Sequence, residues 1–337
     1  MKKFFLAIVA VVAMASCSNN ESEFLKNPTN EMKFRNLNER VTRAANDVSS
    51  DYKVFAVSTL ASESDWFIQD TIGGGTVPAE TNLAKHGPYY WPAGKTVDFY
   101  SYAPAQSTNA VVTATYGSTP TFTTVYTVPA NADEDFTMAA PKMVLDNTSG
   151  SGGDGTVEFV FEHMLSKISI NVDISTSLKA SGYELDLTGA TVTLGLAYDQ
   201  GTLSTMDGAA AFGSLALSGS GSYTKTAAVT SGPSFIIIPQ ASTSATIQFK
   251  GVVIKRNGLT IFPNDSGVSD LKVYEIDVNE IDDDMFKKKT HYTFNIEIIG
   301  TSHDDDDELI FGEEIKFSAD INNWIIEGTT PNPIPQP

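Results

Sequence analysis

The sequence predicts an all-β protein built of antiparallel β-sandwiches. After residue 50, apolar residues recur with a period of two, which is the period of a half-buried strand. Runs rich in glycine, serine, threonine, asparagine and proline separate these segments, as turns do between short strands. No long amphipathic helix is evident. The length of 337 residues and the number of strands favour two domains in tandem.

The composition excludes several classes of protein. Hydrophobic residues make up 41% of the chain and charged residues 19%, a balance that excludes disorder throughout. The formal net charge of -19 argues against nucleic acid as a partner, because its binding requires basic patches. A single cysteine excludes an internal disulfide and a multi-cysteine metal site. No hydrolase or phosphate-loop motif occurs, so we expect no enzyme, no catalytic residue, no cofactor and no metal site.

Residues 1–17 are typical of an export signal. Two lysines precede an apolar run from Phe4 to Met14, which is too short to remain in a membrane as a spanning helix. The run ends just before Cys17, the only cysteine of the chain. This pattern predicts a lipoprotein that is cleaved before Cys17, acylated on it, and thereby anchored to a membrane. An ordinary signal peptide with an incidental cysteine is the alternative.

Residues 18–43 differ from the rest in their arginine content. Three of the four arginines of the chain lie here, at Arg35, Arg40 and Arg43. This distribution predicts a pro-segment that an Arg-specific protease removes by cutting between Arg43 and Ala44. A disordered linker between the lipid and the first domain is the alternative.

Residues 44–180 are predicted to form the amino-terminal sandwich. The segment 97–102 alternates strictly between its two faces. In the segment 156–174 the apolar positions change from odd to even numbers, which predicts a long strand with a bulge near Met164–Lys167. We expect this strand to close the first sandwich, with the domain boundary near Ala180.

Residues 181–337 are predicted to form the carboxyl-terminal sandwich. The segment 292–298 carries apolar residues at every even position. Near the end of the chain, the segment 314–327 alternates as well, with Ile315, Phe317, Ala319, Ile321 and Ile325 on its apolar face. This segment is long enough to span a sandwich at about 3.3 Å per residue.

Several local patterns together resemble the fimbrillin family, the lipoprotein-derived type V pilins of certain Gram-negative gut and oral anaerobes. Their order and spacing extend over nearly the whole chain, and a closing strand contains Trp324. The patterns are Tyr89 to Pro92 (YYWP), Val97 to Pro104 (VDFYSYAP), Phe161 to Ile168 (FEHMLSKI), Ile236 to Gln240 (IIIPQ) and Thr290 to Ile296 (THYTFNI).

The resemblance implies two transthyretin-like antiparallel β-sandwich domains in tandem. It also implies an outer membrane lipoprotein precursor, lipidated at Cys17 and cleaved at Arg43–Ala44 by an Arg-specific protease. Cleavage would delete the first strand of the amino-terminal sandwich. The open groove would accept the segment 314–327 from another copy or from a related pilin, as β-augmentation. The alternative for that segment is an ordinary terminal strand of its own domain.

The predicted function is therefore that of a structural fimbrial subunit that polymerises and supports adhesion at the cell surface. A tip or anchor subunit of the same fimbria is the near alternative. A surface glycan-binding lipoprotein is the third hypothesis, and it would use the aromatic side chains of Trp66, Tyr89, Tyr90 and Trp91. The sequence does not identify the host or bacterial surface to which the polymer binds.

Overall fold

A computed structural model describes thirteen stretches of the chain, and statements about absence below refer to these stretches. The signal segment, Cys17, Arg43, Ala44 and Ile325 lie outside them. The stretches are 31–36, 51–58, 66–72, 88–92, 96–117, 120–129, 134–144, 156–205, 223–242, 245–262, 274–275, 285–302 and 309–323.

The described residues of the first half of the chain form nine strands, numbered here in chain order. They are β1 (Lys33–Asn36), β2 (Tyr52–Ser58), β3 (Ile68–Ile72), β4 (Val97–Ala103), β5 (Ala110–Thr115), β6 (Thr121–Thr127), β7 (Thr137–Val144), β8 (Thr156–Phe159) and β9 (Phe161–His163).

The second half supplies the remaining described strands, together with one short α-helix, α1 (Thr176–Ala180), and a 3-10 turn (Val229–Ser231). The described helical segments are all too short to cross a bilayer. The strands are β10 (Ser166–Ile174), β11 (Tyr183–Asp186), β12 (Thr191–Leu196), β13 (Gln200–Thr205), β14 (Tyr223–Ala228), β15 (Ser234–Ile237), β16 (Gln240–Ala241), β17 (Thr246–Lys250), β18 (Val253–Arg256), β19 (Leu259–Phe262), β20 (Tyr274–Glu275), β21 (Met285–Phe286), β22 (Thr290–Ser302) and β23 (Leu309–Asn323).

The predicted all-β class is confirmed. In the amino-terminal half, β3, β2, β4, β7 and β9 form a five-stranded antiparallel sheet in that order. Strand β4 alternates as the sequence predicts, because Val97 and Phe99 are buried while Asp98 and Tyr100 lie on the other face. The buried face of this sheet packs into one hydrophobic cluster with residues of β1 and β8, among them Phe34.

An aromatic layer lies on the opposite side of the same sheet. The ring of Phe122, from the β5–β6 hairpin, contacts Phe55 at 5.4 Å, Tyr100 at 4.8 Å and Trp66 at 5.8 Å between centroids. Burial, together with the nearby charge of Asp98, raises the pKa of Tyr100 to about 12. The sheet is therefore packed on both faces.

Two sheets of the carboxyl-terminal half enclose a second core. One has the order β15-β10-β22-β23 and the other β14-β12-β17-β20. The alternation predicted for the segment 292–298 is confirmed, because Tyr292, Phe294, Ile296 and Ile298 are all buried. The strands of the other sheet contribute further apolar residues to the same hydrophobic core.

Two strand pairs are parallel, which the predicted antiparallel pattern does not include. Strand β1 runs parallel to β8, and β10 runs parallel to β22. Parallel neighbours require a crossover connection, and in both pairs a large part of the fold lies between the two strands in sequence. A further sheet, of order β13-β6-β5, joins strands from both halves of the chain.

The segment 156–174 is not one long strand, which corrects the expectation from the sequence. It divides into β8, β9 and β10, and the chain leaves the strand conformation at Met164 and Leu165, within the region where the bulge was predicted. After this break, β10 enters the carboxyl-terminal sheet instead of closing the first sandwich. The change of the apolar positions from odd to even numbers therefore marks the place where the chain passes from the first core to the second. The division into domains at 180 stays a prediction.

Candidate functional site

The amino-terminal strand β1 is an integral part of the first core, although it precedes the predicted cleavage site. Its residues pair in parallel register with β8, with Phe34 opposite Val157. Just before it, the amide of Met32 donates a hydrogen bond of 2.8 Å to the carbonyl of Tyr89, and Glu31 forms an antiparallel bridge with Tyr90. Backbone hydrogen bonds thus fix β1 from its first residue.

A side chain of β1 and that of the residue just before the strand fill a pocket in that core. Met32 is 4% exposed and Phe34 is 1% exposed. The ring of Phe34 meets Phe99 edge to face, with centroids 6.2 Å apart, and Phe99 in turn meets Trp91 at 5.9 Å. Burying two such side chains contributes about 3–6 kcal/mol. Without β1 this pocket would be empty and the backbone of β8 would lack its partner.

A buried carboxylate lies beside the start of β1. Asp70 on β3 is 0% exposed, and it accepts hydrogen bonds from the amide of Thr71 at 2.7 Å and the hydroxyl of Tyr89 at 3.3 Å. Burial, together with the charge of Asp70, raises the pKa of Tyr89. Tyr89 therefore stays protonated and continues to donate at neutral pH. The hydrogen bond to Asp70 holds Tyr89 in place, and the backbone carbonyl of Tyr89 accepts the hydrogen bond from the Met32 amide.

The predicted donor segment lies on β23, at the edge of the carboxyl-terminal sheet. Strand β23 pairs antiparallel with β22, so that Ile315 lies opposite Ile298, Phe317 opposite Ile296, Ala319 opposite Phe294 and Ile321 opposite Tyr292. The sheet order places no other described strand beside β23. In this state of the chain the segment is a terminal strand of its own sheet, as the alternative hypothesis states.

The side chains of β23 differ from those of the neighbouring strand β22 in their exposed fraction. Ile321 is 42% exposed, whereas its cross-strand partner Tyr292 is fully buried. Ser318 and Asp320 are exposed, and the amide of Asn295 donates a hydrogen bond of 2.9 Å to the Asp320 carboxylate. The side chains of Ile315, Phe317 and Ala319 lie outside the described part of the chain.

The aromatic set of the glycan-binding hypothesis does not form one exposed surface in the described residues. Trp91 is 1% exposed, and Trp66 packs against Phe55 with centroids 5.1 Å apart. The hydroxyl of Tyr89 donates a hydrogen bond to Asp70. These side chains serve packing and hydrogen bonding inside the first core and its aromatic layer.

Within the same described residues, no group of three or more histidine, cysteine or acidic side chains is arranged to hold a metal ion. The acidic run at 303–307 lies outside them.

Comparison with known proteins identifies the family. The sequence profile described as fimbrillin-like matches residues 40–324. The chain belongs to the fimbrillin-like family. Family membership supports the role of a fimbrial subunit in adhesion, a location at the cell surface, and assembly with itself or with related fimbrial subunits. It also indicates a structural protein.

Solved structures with low sequence identity share the fold. A candidate cell adhesion protein from Bacteroides uniformis superposes with a TM-score of 0.54 at 18% identity, over 88% of this chain and 99% of its own. A fimbrial protein from Bacteroides vulgatus superposes with a TM-score of 0.51 at 14% identity, over 88% and 100%. Both show the fimbrillin β-sandwich architecture. No curated protein sequence matches the chain.

Reasoning from the sequence missed two parts of this site. The segment 31–36 is too short for its alternation to stand out, and Met32 and Phe34 were visible only as isolated large side chains. The buried Asp70 gave no signal, because a single aspartate in a strand reads as a solvent-facing residue until the fold shows which face is covered.

Proposed function

We propose that the chain is a shaft subunit of a fimbrium and polymerises by strand exchange that proteolysis triggers. The observation that carries the proposal is the position of β1. It precedes the predicted cleavage bond Arg43–Ala44, yet it places Phe34 in the centre of the amino-terminal core. A cut at this bond separates a core strand from the rest of the subunit.

Lipidation of Cys17 delivers the precursor to the outer membrane in this proposal, and cleavage by an Arg-specific protease releases it. Residues 1–43 contain seven basic and four acidic residues, so their loss changes the formal net charge from -19 to -22. Mutual repulsion of the acidic subunits opposes nonspecific association. Specific contacts must therefore hold the polymer together.

Cleavage makes the retention of β1 unfavourable. As part of the chain, β1 remains close to its groove without any cost of association. Once it is separate, its two buried side chains contribute about 3–6 kcal/mol, while association of separate molecules costs about 4–15 kcal/mol. The separated strand is therefore held weakly, and a longer strand that buries more apolar surface can displace it.

Strand β23 is the donor best placed to fill the groove of the next subunit. As an edge strand it has no described neighbour on its outer side. Leaving β22 gives up a ladder that extends from Thr290 to Ser302, whereas β8 pairs over only four residues, so burial of apolar side chains has to drive the exchange. The donor segment is longer than β1 and its four large apolar residues contribute about 6–12 kcal/mol when buried. The contact is head-to-tail and does not close on itself, so it produces a filament.

Treatment of purified residues 18–337 with an Arg-specific protease tests the proposal. We expect a new amino terminus at Ala44 by mass spectrometry and SDS-resistant ladders on gels. Arg43→Ala should abolish both, whereas Arg40→Ala is the matched control and should leave both intact. If the Arg43→Ala chain still polymerises, the cleavage site is wrong.

The donor strand is tested separately in the processed chain. Ile321→Asp places a charge on the predicted apolar face and should abolish the ladders, while Ser318→Asp, on the exposed face, should leave them. If Ile321→Asp polymerises normally, β23 is not the donor. An anchor subunit, the near alternative, would instead keep residues 18–43 after protease treatment. A tip subunit would be cleaved but would form no ladders by itself, because it accepts a donor strand and need not supply one.

A further inference from the structure

The amino-terminal strand and the proposed donor strand share a tetrapeptide. Residues 31–34 read Glu-Met-Lys-Phe, and residues 314–317 read Glu-Ile-Lys-Phe. Three positions are identical, and the fourth exchanges one large aliphatic side chain for another, a change that cores tolerate well. The two segments lie near opposite ends of the chain. Met32 and Phe34 in the first segment are buried, and the second segment alternates between apolar and polar residues.

We infer that the donor strand of a second copy enters the groove in a single register, in which residues 314–317 take the places of residues 31–34. The inference rests on the strand exchange proposed above and adds to it which side chain fills which site. Ile315 takes the place of Met32, and Phe317 takes the place of Phe34.

The shape of the groove requires an aromatic residue at one site and a large aliphatic residue two positions before it. The pocket that holds Phe34 is bounded by the ring of Phe99, at 6.2 Å and an interplanar angle of 71°, with Trp91 behind it. A phenylalanine restores this edge-to-face contact, which aromatic pairs prefer. In the segment 314–327 the phenylalanine is Phe317, and Ile315 stands two positions before it.

Each neighbouring register would either direct a polar or charged side chain into the core or leave a cavity there. A shift by one residue reverses the faces of the strand and directs Lys316 or Ser318 into the core. A shift by two in one direction places Glu313 in the site of Met32, which is 4% exposed, so a carboxylate would be buried without a partner. The opposite shift places Ala319 in the site of Phe34 and leaves a cavity.

The direction of the strand agrees with this register. Strand β1 runs parallel to β8, and the shared tetrapeptide reads in the same order in both segments, so the donor keeps the parallel direction of the strand that it replaces. Transferring the β1–β8 register to the donor gives four intermolecular neighbours. They are Lys316 beside Thr156, Phe317 beside Val157, Ser318 beside Glu158, and Ala319 beside Phe159.

Cysteine cross-linking measures this register directly, because the chain processed at Arg43 retains no native cysteine. One chain carries Glu158→Cys and a second carries Ser318→Cys, both at positions that are not buried. The two chains are mixed, processed with an Arg-specific protease, oxidised, and heated in SDS until unlinked polymer dissociates. We expect a covalent heterodimer that reductant abolishes and whose linked peptides, by mass, join positions 158 and 318.

The matched control pairs Glu158→Cys with Asp320→Cys, at an exposed position two residues further along β23. Disulfide geometry allows only short separations between α-carbons, so this pair should give little or no heterodimer. If Asp320→Cys links and Ser318→Cys does not, the register is wrong although strand exchange stands. If Ser318→Cys polymerises but neither pair links, the register is also wrong. If the cysteine-free processed chain forms no polymer, the proposed function itself is overturned.

Discussion

Nearly the same short sequence occupies two different settings in this molecule. In β1 it runs parallel to β8 and lies within a core, whereas in β23 it runs antiparallel to β22 at the edge of a sheet. Alternating apolar residues thus select the strand conformation in both places, but they select neither the partner nor the direction. Those depend on which apolar surface the rest of the fold leaves uncovered.

The two strands also differ in what their removal exposes. Strand β1 covers the central phenylalanines of its core and is held at its start through Tyr89 and the buried Asp70. Strand β23 includes a residue, Ile321, that is 42% exposed while it lies on its own sheet. Removal of β1 therefore uncovers part of the first core, whereas removal of β23 uncovers the backbone edge of β22.

The largest effect is expected from Phe34→Ala in the uncleaved chain. Loss of a fully buried ring should lower the free energy of unfolding by about 3–5 kcal/mol, which chemical denaturation followed by tryptophan fluorescence can measure. Lys33→Ala, at the partly exposed neighbouring position, should change it by less than about 0.5 kcal/mol. Equal effects of the two substitutions would show that β1 is not part of the core.

A smaller effect is expected at alkaline pH in the sheet that β1 covers. Burial, with the charge of Asp98, raises the pKa of Tyr100 from 10.0 to about 12. The folded state thus holds the phenolic proton more tightly than the unfolded state, so the stabilisation is complete below pH 10.0 and is lost as the pH rises through about 12. Denaturation midpoints across this range should fall less steeply in Tyr100→Phe, which keeps the ring. The same slope in both chains would contradict this assignment.

The smallest effect is expected at the exposed end of β23. Ile321→Ala in the uncleaved chain should cost less than about 1 kcal/mol, because the side chain is already partly in water. Ile298→Ala, fully buried on the neighbouring strand, should cost about 2–5 kcal/mol. Denaturant unfolding compares the two variants. A large cost for Ile321→Ala would show that β23 is fixed too firmly in its own sheet to be a donor.

The sequence predicts much of the local structure because alternation is a local property. Val97 and Phe99 on β4, and Tyr292 and Phe294 on β22, are buried as their spacing requires. The parity change after Phe161 likewise marks a real break, because a strand cannot change the face that it buries without an irregularity. The prediction was wrong about the path after the break, because β10 joins the carboxyl-terminal sheet instead of closing the first sandwich.

The aromatic layer and the buried carboxylate could not be predicted in the same way. Tyr100 lies on the face of β4 that a one-sided sheet would expose, and it is half-buried because the β5–β6 hairpin folds over it. Asp70 shares the core-facing side of β3 with Ile68, and Tyr89, distant in sequence, compensates its burial. Both features depend on segments that meet only when the chain folds.

By itself, the sequence determined the class of the fold, the positions that face a core and, through its family patterns, the kind of protein. The tertiary structure decided that Phe34 belongs to the first core, that β1 pairs with β8, and that β23 lies at an edge. The physical reason is that every residue except proline offers the same two backbone hydrogen-bonding groups. A strand's partner is therefore set by distant apolar surfaces that must be covered, and not by the strand's own residues.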